Sequence, residues 1–109
     1  MKFAEACLSF IDHSVSCFHV VENIEKKLLA SGFLKLEEKN EWELEAGKSY
    51  FVTRGASSLI AFKVPTGEWT GFHIVASHSD SPSFKLKNNP EMSVEEKYIK
   101  LNTEGYGGM

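Results

Sequence analysis

His78 and Asp80, separated by Ser79 and followed by Ser81 and Pro82, carry the spacing in this chain that could do the most chemistry. In an extended segment, residues two apart lie on one face, so an imidazole and a carboxylate would share a side. That is a compact way to bind a divalent cation: one ring nitrogen holds the ion while the carboxylate fixes the other. The pattern is short. Taken alone, it favours the plainer reading of a hydrogen-bonded histidine near a strand end.

Other patterns lead nowhere. Gly47, Lys48 and Ser49 spell the end of a phosphate-binding loop, yet that motif needs a glycine five positions before Gly47, where Trp42 stands. The serines around His78 invite a serine-hydrolase reading, but no Gly-x-Ser-x-Gly string exists to build the nucleophile elbow. His13, His19 and His73 are scattered and read as structural. Cys7 and Cys17 are the only cysteines, ten positions apart, and they read as packing thiols in a reducing compartment rather than as a zinc knuckle or a disulfide.

The elements that must position the motif follow from periodicity. Phe3, Cys7, Phe10 and Ile11, then Phe18, Val21, Ile24 and Leu28, recur at helical spacing. Asp12, His13 and Ser14 interrupt the run, and Ser16 suits an N-cap, so two helices with a tight joint are predicted. Ser31 and Gly32 close the second, with Lys26 and Lys27 near its carboxyl end. From Phe33 onward the rhythm becomes that of strands. Tyr50 to Thr53 and Ser58 to Val64 are predicted strands, separated by Arg54 and Gly55, with Pro65, Thr66 and Gly67 as a stop.

A third predicted strand, Gly71 to Ser77, is nearly continuous in apolar residues, as in a sheet interior, and delivers His78. Ser83 to Lys87 reads as a half-exposed strand, Asn88, Asn89 and Pro90 as a loop, and Tyr98 to Asn102 as a short strand before the turn Gly105, Tyr106, Gly107, Gly108. Trp42 and Trp69 are expected to pack beside the sheet, Trp69 from a partly exposed turn.

The fold class is therefore α/β, two amino-terminal helices followed by mixed strands. At 109 residues, 42% of them hydrophobic, the chain suits one small domain. The net charge of -3 provides no basic field for nucleic acid. No apolar run reaches the roughly 20 residues that span a bilayer, and no signal segment opens the chain, so a soluble, cytoplasmic protein without a membrane partner is expected. The stop at Met109, just after a glycine-rich turn, suggests that residues 1–109 are the amino-terminal fragment of something larger.

Four strings together resemble one family. GFHIVASHSDSPSFKLKNNPE at 71–91 looks like a signature of the aspartyl aminopeptidase and vacuolar-type aminopeptidase I family of zinc metallopeptidases. FHVVENIEKKLLASGF at 18–33 is similar to that family's amino-terminal helix, WELEAGKSYFVTRGASSLIAFKV at 42–64 to its strand pair, and LNTEGYGG at 101–108 to the segment leading to its next catalytic motif. The chain departs from the family at Val15 and Cys17, where the helix joint tends to carry prolines, and at Ser79, often Thr, where the hydroxyl is kept.

The resemblance implies the opening part of a larger α/β zinc-peptidase fold. It further implies a pair of zinc ions that polarise the scissile carbonyl and activate water, releasing residues from the amino end of a peptide substrate, in a homo-oligomer. His78 matches the family's histidine ligand to zinc and Asp80 the carboxylate that orients it. A catalytic zinc takes about three protein ligands, and the segment offers one, so the others and the general base are expected beyond Met109 and the segment alone is expected to be inactive. The alternative is a short, non-catalytic binding or assembly module on the same fold.

Overall fold

The computed structural model describes residues 2–108. They form two compact units, which meet in sequence between Ser79 and Asp80. The first contains helices α1 (Phe3–Asp12) and α2 (Cys17–Ala30) and strands β1 (Leu34–Leu36), β2 (Ser49–Arg54) and β3 (Ser58–Lys63); the second contains β4 (Ser83–Val94) and β5 (Tyr98–Tyr106). No helix among the described residues is long and apolar enough to cross a membrane.

The helices end where local chemistry ends them. The Ser16 hydroxyl caps α2, accepting from the backbone N–H of His19 at 3.5 Å and meeting its Nδ1 at 2.8 Å. At the other end Gly32, at φ +81°, lets the N–H groups of Gly32 and Phe33 reach the carbonyls of Leu29 and Leu28, each at 3.0 Å. That pairing is a Schellman motif, which satisfies the last turn's carbonyls. The Asn23 side-chain amide donates to the His13 carbonyl at 2.8 Å and to the Ser14 hydroxyl at 3.2 Å. The joint between the helices is thereby tied to α2.

The first unit's sheet has the order β1-β2-β3, with β1 parallel and β3 antiparallel to β2. β1 carries no alternation long enough to announce it in the sequence, and its pairing with β2 alone defines it. Lys35 opposes Phe51 in that pairing, and the Lys35 ammonium meets the Glu25 carboxylate on α2 at 2.6 Å. Directly opposite residues share a face. Phe51 therefore looks toward α2, where Val21 is buried, while Tyr50 looks the other way, toward the rings of Phe62 and Trp42. Val21, Tyr50 and Phe51 are the buried hydrophobic residues among those described.

The predicted strand Gly71–Ser77 does not form. Residues 64–82 have no regular secondary structure, and Phe72, Ile74 and Val75 are exposed. An apolar run becomes a strand only when a neighbour takes its N–H and C=O groups, and no strand among the described residues pairs with it. Trp69, expected to pack beside the sheet, is instead exposed in this irregular stretch and meets Phe72 edge to face with centroids 4.7 Å apart. Cys7 and Cys17 are free thiols, and Cys7 is exposed rather than packed.

The second unit is an antiparallel ribbon of two strands. β4 runs through the expected loop, which is instead a bulge: the register jumps between Leu86 and Glu91, with Asn89 at φ +52°. Pro90 has no N–H to give the ladder, which favours a bulge at this point. β5 likewise continues past Asn102 to Tyr106.

At the tip Glu95 and Glu96 both adopt left-handed backbone, at φ +52° and +54°, closed by the Lys97 N–H on the Val94 carbonyl at 3.1 Å. Such turns prefer Asn-Gly, because a Cβ is costly in that conformation. Replacing Glu95→Asn and Glu96→Gly together should stabilise the ribbon by about 1 kcal/mol, seen as roughly fivefold slower amide exchange in β4 and β5. Unchanged or faster exchange would remove the tip as a source of strain.

Candidate metal-ligand motif at the end of the 71–79 segment

His78 lies in the irregular stretch, exposed, with Ser79 and Asp80 half-buried after it. The Ser79 hydroxyl donates to the Ser57 carbonyl at 3.1 Å, which ties the chain beside His78 to the turn between β2 and β3. Asp80 opens the second unit. Its Oδ2 accepts the hydroxyl of Tyr106, from the end of β5, at 2.8 Å. The Lys85 ammonium lies 3.7 Å from the centroid of the Tyr106 ring.

An exposed imidazole such as that of His78 can serve as one ligand to a divalent cation such as zinc. No group of three or more His, Cys, Asp or Glu side chains able to hold a metal ion occurs among the described residues. The remaining histidines of the helical region have local partners: His13 Nδ1 donates to the Ser9 carbonyl at 2.7 Å, and His19 meets Ser16.

A hydrogen bond and ion pair with Lys26, at 2.6 Å along α2, hold the Glu22 carboxyl below its ordinary value. Lys48 is raised by its hydrogen bond to Glu45, also at 2.6 Å. Both pairs are well exposed and serve the surface. Sequence reasoning singled out His78 and Asp80 but missed Tyr106 as the partner of Asp80 and Ser57 as that of Ser79, because those contacts join residues 26 and 22 positions apart.

A family model described as "Aminopeptidase I zinc metalloprotease (M18)" matches residues 10–109. The chain is 48% identical over 110 residues to "Probable M18 family aminopeptidase 2" of Clostridium novyi, covering 99% of this chain and 25% of that protein. It is 40% identical over 106 residues to "Aspartyl aminopeptidase 1" of Schizosaccharomyces pombe, covering 93% of this chain and 22% of that one. Its fold superposes with a TM-score of 0.86 on a subunit of the S. cerevisiae mApe1 dodecamer, at 26% identity, over 98% of this chain and 26% of the other. The chain thus spans about a quarter of the length of the proteins it matches. The family model that spans residues 10–109, together with relatives up to 49% identical, shows that the chain belongs to the M18 aminopeptidase family.

Proposed function

We propose that this chain is the amino-terminal part of a zinc-dependent aminopeptidase that releases residues one at a time from the free amino end of peptides. The observation that carries the reading is the family match, which runs through the His78 motif to residue 109. A pair of zinc ions, when bound, supplies Lewis-acid polarisation of the scissile carbonyl and activation of water. His78 would contribute a neutral imidazole nitrogen as ligand. Asp80 would take the N–H of the opposite ring nitrogen, which would fix the tautomer and raise the basicity of the ligating one. Ser79, held on the Ser57 carbonyl, restrains the backbone between them.

About three protein ligands are needed for each catalytic zinc, so the other ligands and the general base belong to the rest of the full chain. Assembly as a homo-oligomer is part of the same reading and is supported by the dodecamer of the yeast relative. A cytoplasmic location belongs to the same reading, which rests on the cysteine usage of the sequence, two cysteines in 109 residues.

The test is the product pattern of the full chain carrying residues 1–109, loaded with zinc. A peptide with a free amino terminus should lose single residues in order, and its amino-acetylated counterpart should stay intact. Cleavage at internal bonds, or no cleavage of either peptide, would overturn the assignment.

A further inference from the structure

We propose that Tyr106 is a positioning residue that sets the orientation of the Asp80 carboxylate; the proposal rests on the reading of Asp80 as the partner of a zinc-binding imidazole. Its hydroxyl donates to Asp80 Oδ2 at 2.8 Å. The Asp80 carboxylate turns about χ1 and χ2, and holding one oxygen on the phenol restricts both torsions and with them the direction of the second oxygen.

Two further features fix the donor itself. The Lys85 ammonium, 3.7 Å from the centroid of the Tyr106 ring, clamps the aromatic plane. Beyond the ring, the chain turns through Gly107 at φ +94°, where an added Cβ would stand 3.2 Å from the Pro82 Cα. Only glycine combines that left-handed backbone with so close an approach. Tyr106 also pairs with Ser83 in the ladder, so β5 ends alongside the stretch that begins at Asp80. The end of β5 is built to hold the segment after His78, and the phenol is the group that reaches the carboxylate.

Tyr106→Phe removes the O–H and keeps the ring beneath Lys85, so it isolates the hydrogen bond from the packing. In the zinc-loaded full chain, zinc retention measured by chelator competition should fall by about tenfold for Tyr106→Phe, and by up to about a hundredfold for Asp80→Asn. Adding Tyr106→Phe to Asp80→Asn should cost nothing more, because the phenol acts through the carboxylate. The melting temperature of Tyr106→Phe should stay near that of the parent.

Unchanged zinc retention in Tyr106→Phe, with Asp80→Asn impaired, would overturn the positioning role alone. So would a full tenfold loss on top of Asp80→Asn. If Asp80→Asn itself retained zinc like the parent, the underlying reading of Asp80 would fall instead.

Discussion

His78→Ala in the zinc-loaded full chain is expected to lower kcat/KM by at least two orders of magnitude, with zinc lost in parallel. Mutating partners that only orient a zinc ligand typically costs 10–100-fold, and deleting the ligand removes the bond they serve, so the upper end of that range is a floor. A hundredfold loss corresponds to about 2.7 kcal/mol of transition-state stabilisation. Deleting the side chain should in itself cost the fold little. His78 is exposed and lies outside the helices and strands, and Val21, Tyr50 and Phe51 are the buried hydrophobic residues among those described. Surface substitutions of this kind stay within about 0.5 kcal/mol when parent and mutant are compared without zinc, since a lost ion takes its own binding stabilisation with it. Zinc content, kcat/KM and the unfolding midpoint on one preparation separate the effects, and full turnover in the mutant would reject His78 as a ligand.

What could be read in the sequence was what depends on near neighbours. Both ends of α2 were legible because Ser16 and the Ser31-Gly32 pair act within a few residues of their targets. The β2–β3 hairpin was legible for the same reason. β1 was not, since Leu34–Leu36 is a strand only through its parallel pairing with β2. The stretch Gly71–Ser77 fails in the opposite direction. Its composition is that of a covered strand, yet composition cannot supply the neighbouring strand that would take its backbone hydrogen bonds.

The bulge in β4 is intermediate. Asn88, Asn89 and Pro90 signal an interruption of pairing, but whether the chain then turns away or resumes the same ladder is decided by the facing strand, which continues from Asn102 to Tyr106. The motif itself shows the same division. The residue types at His78 and Asp80 are visible at a separation of two, whereas the phenol on Asp80 arrives from 26 residues away and only after β5 has formed. Chemistry carried by adjacent residues can be named from the sequence; the groups that aim it belong to the fold.

The smallness of the core makes one residue decisive for the first unit. Phe51 is fully buried at 0% exposure on the central strand, on the face that meets α2. Truncating a buried Phe to Ala removes its transfer free energy and leaves a cavity, together about 3–5 kcal/mol. Domains hold only about 0.05–0.15 kcal/mol per residue, roughly 4–12 kcal/mol for a unit of this size, so that loss takes a large share of what it has. Phe51→Ala should therefore shift the midpoint of the urea transition of the helices and the β1–β3 sheet far toward zero denaturant, followed by far-ultraviolet circular dichroism. Ile60→Ala, on the neighbouring strand but 67% exposed, should move the midpoint little. If the two substitutions had equal effects, Phe51 would not be the centre of this core, and the packing of α2 on the sheet would have to rest on contacts spread over the unit's surface.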